Sequence, residues 1–452
     1  MIFSSVMHCL SEESLADIRK IAFETLLLAE DTGAGSLTKD VLDKYSYLER
    51  SDRAFLKRLI ETVTERRITI DYVLGAFSSV PVPKMKKQVR TLLRMGVCQI
   101  MFMDGVPDHA AVDETVKIIK KTPMRSLAGF VNGVLRSVLR GRDEIVWPAR
   151  DKDMTRYLSV MYSCPEWLVN KLVTEQGEEN AETVLRLSLS VRPVTARVNL
   201  SKASVDDVIT DERIERSGIC PVAVTLSDYD NITNIPAFAE GKICIQDISS
   251  MLVGLVSGIR PDDTVLDLCA APGGKSLHAA DLAPNGRIIS VDVSEKKVSA
   301  IEENIRRCGF DNIKTVIGDS AVLDEDLSGI ADVVIADVPC SGIGVIGRKN
   351  DIKYNISERS IEDLVVLQRR ILENAVKYLK SGGTLIFSTC TCSLPENQGN
   401  FEMLSRDFGL TPVGFYDDLP DAFKCEGAKE GFLQLYGKDA SSDGFFIGKL
   451  RK

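Results

Sequence analysis

Two cysteines occupy short motifs that each follow an apolar run. Cys340 lies in Asp337-Val338-Pro339-Cys340-Ser341-Gly342, and Cys390 lies in Phe387-Ser388-Thr389-Cys390. Upstream runs Asp267-Leu268-Cys269-Ala270-Ala271-Pro272-Gly273-Gly274-Lys275, a glycine-containing turn between an apolar strand and a helix. The runs Val265 to Leu268, Val333 to Ala336 and Thr384 to Phe387 each end where a motif begins. In open α/β sheets ligand chemistry gathers at the carboxyl ends of strands, so both thiols and the turn are expected to face one crevice. That arrangement suits a nucleophile assisted by a second thiol.

The elements that must carry these motifs alternate in βαβ fashion from about residue 243. Strands are expected at Val265–Leu268, Ile288–Asp292, Lys314–Ile317, Val333–Ala336 and Thr384–Phe387. Helices are expected up to Leu282, from Ser294 to Cys308 and from Ser357 to Leu379. This pattern predicts an α/β fold, a doubly wound parallel sheet of Rossmann-like type. Residues from about 11 to 140 read as all helix, with Leu15, Ile18, Ala22, Leu26 and Ala29 on one face. Phe55, Leu59 and Val63 mark a second helix with Ser51 as its N-cap; Val89 to Ile100 and Val131 to Val138 mark two more. Residues 141–153, with Pro148, read as a linker. A small α+β domain is expected over 154–242, with a helix around Trp167 to Leu187 and a strand at Thr195 to Leu200.

The 452 residues suit two or three domains. No apolar stretch reaches membrane-span length, and the N-terminus lacks the basic and apolar blocks of a secretion signal. Eleven cysteines and three histidines show no metal-ligand spacing and no disulfide framework, so free thiols in a reducing cytoplasm fit, with no metal. The net charge of -9 argues against a nucleic-acid partner, but it is uneven. Residues 1 to 150 hold 23 Lys+Arg against 19 Asp+Glu, and the remainder 33 against 46. Only the first third can offer a basic face, through Lys84, Lys86, Lys87, Lys120, Lys121, Arg125, Arg136, Arg140 and Arg142, and a solvated helix surface would give the same count.

Three ligand classes compete for the glycine turn. A dinucleotide fingerprint needs GxGxxG, and only Gly273-Gly274 is present. A P-loop needs a glycine where Cys269 stands. Asp292, at the end of the next strand, can accept both ribose hydroxyls of an adenosine ligand. Asp319, ending the third strand, can take an adenine amino group. Strand-end carboxylates at Asp292, Asp319 and Asp337 disfavour a polyphosphate and suit a cationic sulfonium, which points to S-adenosyl-L-methionine (SAM). Any one of these aspartates alone would be explained as well by a helix N-cap.

DLCAAPGGK, DVPCSG and FSTC, in this order, resemble the RNA (cytosine-5) methyltransferases from about Gln246-Asp247 to Asp443-Gly444-Phe445-Phe446. In the helical third, Ser51-Asp52-Arg53-Ala54-Phe55, Val106 to Val112 and Ala128 to Arg136 resemble the antitermination-factor fold NusB. The fusion is typical of the bacterial RsmB type, which modifies small-subunit ribosomal RNA. The resemblance implies a NusB-like RNA-binding domain over 1–140 and a SAM-dependent catalytic domain over 243–452, with the turn Cys269 to Lys275 holding SAM. It implies 16S ribosomal RNA, or an assembling small subunit, as partner; a monomer is expected.

Cytosine carbon-5 becomes nucleophilic only after a thiolate adds at carbon-6. By the resemblance Cys390 attacks and Cys340 assists breakdown of the adduct; DNA enzymes use the Pro-Cys cysteine instead, which leaves the reversed assignment as the rival. Asp337 is placed to hydrogen-bond ring nitrogen-3. Glu396-Asn397 keep the family's spacing from Cys390, which makes Cys392 a bystander, and Cys269 reads as a small packed residue. The loop Gly347 to Tyr354 matches the family, and its cations and tyrosine are candidates for phosphate and base contacts. Two positions depart from the family: Cys164, where histidine is common, and Tyr436-Gly437, where Pro-His is common. The alternative from another class is a non-catalytic RNA-binding factor with a relic catalytic domain.

Overall fold

The computed structural model describes residues 17–32, 35–437 and 442–452. These described residues fall into two compact units, one within 1–166 and the other within 167–452. Leu15 lies outside the described residues.

The first unit is helical. Helices Ile18–Thr32, Gly35–Lys44, Arg50–Glu65, Arg67–Phe77, Lys87–Phe102, Asp108–Lys120 and Ala128–Gly141 surround one core, and Met154–Tyr162 belongs to the same unit. Leu59, Leu92, Val97, Val131 and Leu135 are fully buried in that core, on the apolar faces of their helices. Ser51 is not the N-cap expected of it. Glu49 holds that place, because its carbonyl accepts the Arg53 N–H at 3.0 Å and starts the ladder earlier. Residues 141–153 are largely irregular, with Trp147 stacked on Tyr72 at 5.7 Å between ring centroids.

The second unit holds two sheets. Strands β1 (Val194–Val198), β2 (Ile214–Arg216), β3 (Ala223–Leu226) and β4 (Ile243–Ile245) form an antiparallel sheet in the order β2-β3-β1-β4. The larger sheet comprises β5 (Thr264–Leu268), β6 (Arg287–Asp292), β7 (Ile313–Ile317), β8 (Ala331–Asp337), β9 (Leu379–Thr389), β10 (Thr411–Pro412), β11 (Phe432–Tyr436) and β12 (Gly444–Arg451). Its order is β10-β12-β9-β8-β5-β6-β7, with β11 paired to β12. The expected doubly wound sheet is present, and taken whole it is mixed. β5 to β9 are parallel, but β12 runs antiparallel beside β9 and pairs Phe446 with Thr389. Continuous apolar runs betray β5, β6 and β8 because both their faces are covered; β12 carries two glycines and a lysine, which hid it.

The parallel register aligns Leu268 with Val291 and Ala336, and Asp337 with Ser388. All four motif-bearing strand ends therefore reach one edge, where the order reverses about β5 and β8, the usual crevice of such sheets.

A second thiol pair lies at the seam between the two sheets. Cys244 of β4 and Cys308, the last residue of helix Glu295–Cys308, sit with sulfurs 3.3 Å apart, both buried. Arg197 is fully buried beside them, bonded to Asp281 at 3.1 Å and to Asn199 at 2.7 Å. Arg307 donates to the carbonyls of Phe238 and Ile243.

Candidate active site

The glycine turn is shaped by backbone conformation. Cys269 adopts φ 61° and Gly273 φ 102°, and a Cβ on Gly273 would sit 3.1 Å from the Ile301 side chain. Helix Gly274–Leu282 starts directly after it. Asp267 is fully buried, accepts from Ser276 Oγ and leaves Oδ1 without a partner; Ser290 Oγ donates onward to Ser276 at 2.7 Å. Burial pushes the Asp267 carboxyl up to about 7 against the opposing pull of Ser276 and Lys275. Burial likewise pushes the Cys269 thiol up to about 12.

Asp292 is 2% exposed. Its Oδ2 accepts the Ala271 N–H at 2.9 Å, and Oδ1 accepts Val293 N–H at 2.7 Å and pairs with Lys297 at 3.1 Å. It thus fastens the glycine turn to β6. Asp319 is exposed, accepts the Ala321 N–H at 2.9 Å and lines a cavity of about 300 Å³ with Leu268, Val291, Ile317 and Val322. Val293, Ile317 and Val322 are 56%, 57% and 66% exposed. Apolar side chains left open beside carboxylates are what an adenosine requires, with ring faces covered and polar edges met.

Lys275 leaves the turn and places its ammonium 2.7 Å from Asp337 Oδ2, while Ser388 donates to Asp337 Oδ1 at 2.7 Å. Burial alone would lower the Lys275 pKa; the Asp337 charge and hydrogen bond outweigh it, and the net shift is upward. Cys340 and Cys390 come together with sulfurs 3.2 Å apart, both half-buried. The hydrogen bond to Cys390, then burial, then the charges of Cys390 and Glu396 push the Cys340 thiol well above its usual range, so it stays protonated.

Sequence reasoning used Glu396-Asn397 only to fix register; the structure gives them work. Glu396 is fully buried and accepts the Ser341 N–H at 2.8 Å, Ser341 Oγ at 2.6 Å and Gln368 Nε2 at 3.0 Å. Ser341 Oγ also meets Thr391 Oγ1 at 2.7 Å. Ser341 follows Cys340 and Thr391 follows Cys390, so one carboxylate gathers both thiol loops. Asn397 donates to the Thr391 carbonyl at 2.9 Å, and Gln368 donates to the Pro339 carbonyl at 2.9 Å. Ser341, Gln368 and Thr391 carry no pattern in one sequence that would single them out.

Cys392 is fully buried, with its thiol pushed up to about 12 by burial and its sulfur turned toward the Leu435 carbonyl. The cations of the loop Gly347 to Tyr354 are engaged more deeply than a phosphate-contacting loop requires. Arg348 binds Asp443 at 2.8 Å and Asp247 at 2.7 Å, and Lys353 is buried; Lys349 is exposed. Among the described residues no group of His, Cys, Asp or Glu could hold a metal ion, and no helix is long and apolar enough to cross a membrane.

A doubly wound sheet with a glycine turn, a crevice of about 300 Å³ and strand-end carboxylates is the fold of a SAM-dependent methyltransferase. Residues 256–451 match the family model described as 16S rRNA methyltransferase RsmB/F, and residues 16–140 match the NusB family. The Bacillus subtilis (strain 168) protein named "Probable ribosomal RNA small subunit methyltransferase B" is 35% identical over 448 residues, 96% of this chain and 98% of that one. The Sodalis glossinidius (strain morsitans) ribosomal RNA small subunit methyltransferase B is 32% identical, over 90% of this chain and 91% of its own. A solved methyltransferase homolog from Pyrococcus horikoshii superposes with a TM-score of 0.56 at 26% identity, over 66% of this chain and 99% of that one. The chain belongs to the RsmB/F family of ribosomal RNA small subunit methyltransferases and carries the NusB domain.

Proposed function

We propose that the enzyme methylates carbon-5 of a cytosine in 16S ribosomal RNA through a covalent adduct with Cys390. The observation that carries this reading is the thiol pair at 3.2 Å beside the Lys275–Asp337 pair. Cys340, held as a thiol, can donate a hydrogen bond to the Cys390 sulfur and hold it in place. The Cys390 sulfur bonds to carbon-6, and the Asp337 carboxyl, relaying a proton from Lys275, donates to nitrogen-3, which neutralises the ring's developing charge. Bound SAM supplies an electrophilic methyl on a sulfonium, which carbon-5 takes up.

Once Cys390 is bonded to carbon, its sulfur is a thioether and a poorer hydrogen-bond acceptor for Cys340. Cys340 can then pass its proton to solvent and, as a thiolate, take the carbon-5 proton while the carbon–sulfur bond breaks, carbon-5–carbon-6 unsaturation returns and Cys390 leaves as a thiolate. Asp292 accepts the ribose hydroxyls, Asp319 meets the adenine edge, and Cys269 to Lys275 form the floor.

The helical domain, residues 1–140, docks RNA; its Lys84, Lys86, Lys120, Lys121, Arg125, Arg136 and Arg140 are all exposed. Residues 141–153 lead into the segment 154–242, whose first helix, Met154–Tyr162, belongs to the helical unit and whose remainder is the small domain, and 243–452 carry catalysis in a cytoplasmic monomer acting on free or assembling RNA. The test is a denaturing gel with labelled 16S RNA and SAM. Cys340→Ala is expected to accumulate a protein–RNA crosslink and Cys390→Ala to form none. Crosslinks in Cys390→Ala alone would overturn the assignment, and bisulfite mapping that finds no 5-methylcytosine would overturn the reaction.

A further inference from the structure

The Glu396 clamp holds the inner face of the loop that follows Cys390. The outer face of that loop is held from a different element, and no part of the reaction described so far uses it. Helix Glu166–Leu187 is interrupted at Gly177, with φ 78° and ψ 164°, and Glu175 and Gln176 close the segment before the break. Gln176 Nε2 donates to the Cys392 carbonyl at 2.5 Å, and Tyr436 Oη donates to Gln176 Oε1 at 2.6 Å. One residue back, Glu175 Oε2 accepts the Leu394 N–H at 3.0 Å, while its Oε1 pairs with Lys171.

We propose that Tyr436 and Gln176 form a latch that sets the position of the Cys390 loop, which makes both of them positioning residues for methyl transfer. The logic is directional. A phenol held by Gln176 Oε1 must donate, and burial pushes the Tyr436 hydroxyl up to about 12, so the donor persists at working pH. With Oε1 committed to Tyr436, the amide has one orientation, and its N–H₂ must face the Cys392 carbonyl. Without the hydroxyl, the amide is free to turn over and set oxygen against oxygen. The latched carbonyl lies two residues from the Cys390 sulfur, and a misplacement of about 1 Å at a reacting group costs up to about 100-fold in rate. The latch depends on the Tyr436 hydroxyl, which a side chain without a donor cannot replace. The inference rests on the Cys390 loop being the reacting loop.

The test compares wild type, Tyr436→Phe, Gln176→Ala and the double variant as full-length chains, using labelled SAM and small-subunit ribosomal RNA. Each single change is expected to lower kcat by about ten- to a hundredfold with KM for RNA and SAM affinity unchanged. The double variant should be no slower than the worse single, because the two act in series. Hydrogen exchange at the Ser393 and Leu394 amides should quicken in all three variants. Unchanged kcat with unchanged exchange overturns the latch, and so does a loss confined to KM for RNA or a multiplicative loss in the double variant. Should wild type transfer no methyl group to the RNA, the functional reading fails instead. Exchange at those two amides then decides the latch on its own: faster supports it, unchanged overturns it.

Discussion

Two thiol pairs in one unit have nearly the same geometry and opposite surroundings. Cys340 and Cys390 stand 3.2 Å apart, half-buried at the carboxyl edge of the sheet. Cys244 and Cys308 stand 3.3 Å apart, buried where β4 meets helix Glu295–Cys308. Distance alone therefore says nothing about reactivity. At the crevice, the hydrogen bond to Cys390, then burial, then the charges of Cys390 and Glu396 keep Cys340 protonated. At the seam, the Cys308 hydrogen bond first, then Arg197 and Arg307, bring Cys244 down to about 6 against the opposing cost of burial. The Cys244 thiol, lowered though it is, lies where no substrate can reach it, and a thiolate enclosed among guanidinium groups is an ion-pair partner. Access and a neighbouring carboxylate set apart the pair proposed to react, and burial among guanidinium groups sets apart the other.

The largest expected effect tests that division directly. Cys390→Ala should reduce methyl transfer by a factor on the order of 10⁴ or more, whereas Cys244→Ala and Cys308→Ala should stay within a few-fold of wild type. The assay is transfer from labelled SAM to 16S RNA. A dead Cys244→Ala with an unchanged melting temperature would break the comparison. Next comes the cofactor side of the crevice. Asp292→Ala removes the acceptor for Ala271 N–H and the expected ribose partner, so SAM binding should weaken by about 1–3 kcal/mol. Calorimetry showing unchanged affinity would leave Asp292 as a fastener of the turn only.

What could be read from the sequence divides along the same line. β5, β6 and β8 are buried on both faces and announce themselves as apolar runs, and the glycine turn has a spacing that only a few ligands tolerate. Cys340 and Cys390 were legible because they follow those runs. The clamp was not: Glu396 reaches Ser341 across 55 positions of chain and Gln368 across 28. No local pattern records such a contact. The seam pair was equally silent, since Cys244 and Cys308 are 64 positions apart on unrelated elements. Ser51 misled for a local reason: cap-forming residue types are common in helix first turns, and the ladder had already begun at Glu49.

A smaller effect concerns the buried carboxyl behind the turn. Asp267 has its pKa raised to about 7, above its unfolded value, so its contribution to stability is fully present below about pH 4 and is lost as pH rises through about 7. Asp267→Asn keeps an acceptor for Ser276 and removes the charge. The variant should lose that pH dependence and gain on the order of 3 kcal/mol over wild type at pH 8 relative to pH 4. Urea unfolding at the two pH values reads the difference, and parallel pH slopes in the two proteins would show that Asp267 ionises normally.

The smallest expected effect has the opposite sign and comes from the seam. Cys244 has its pKa depressed to about 6, below its unfolded value near 9. Its contribution is therefore present above about pH 9 and lost as pH falls through about 6. Cys244→Ser keeps the size and a hydroxyl that can still meet Cys308 and Asn199, but it cannot ionise, so Arg197 and Arg307 lose a counter-charge. Stability should fall by about 1–2 kcal/mol at pH 9 and hardly at pH 5.5, the loss being modest because burial already opposes the thiolate. Methyl transfer should be unchanged at either pH once the folded fraction is equal. Urea unfolding at both pH values decides it. An equal loss at pH 5.5 and pH 9 would mean that Cys244 packs as a neutral thiol, and the two sulfur pairs would then differ in access alone.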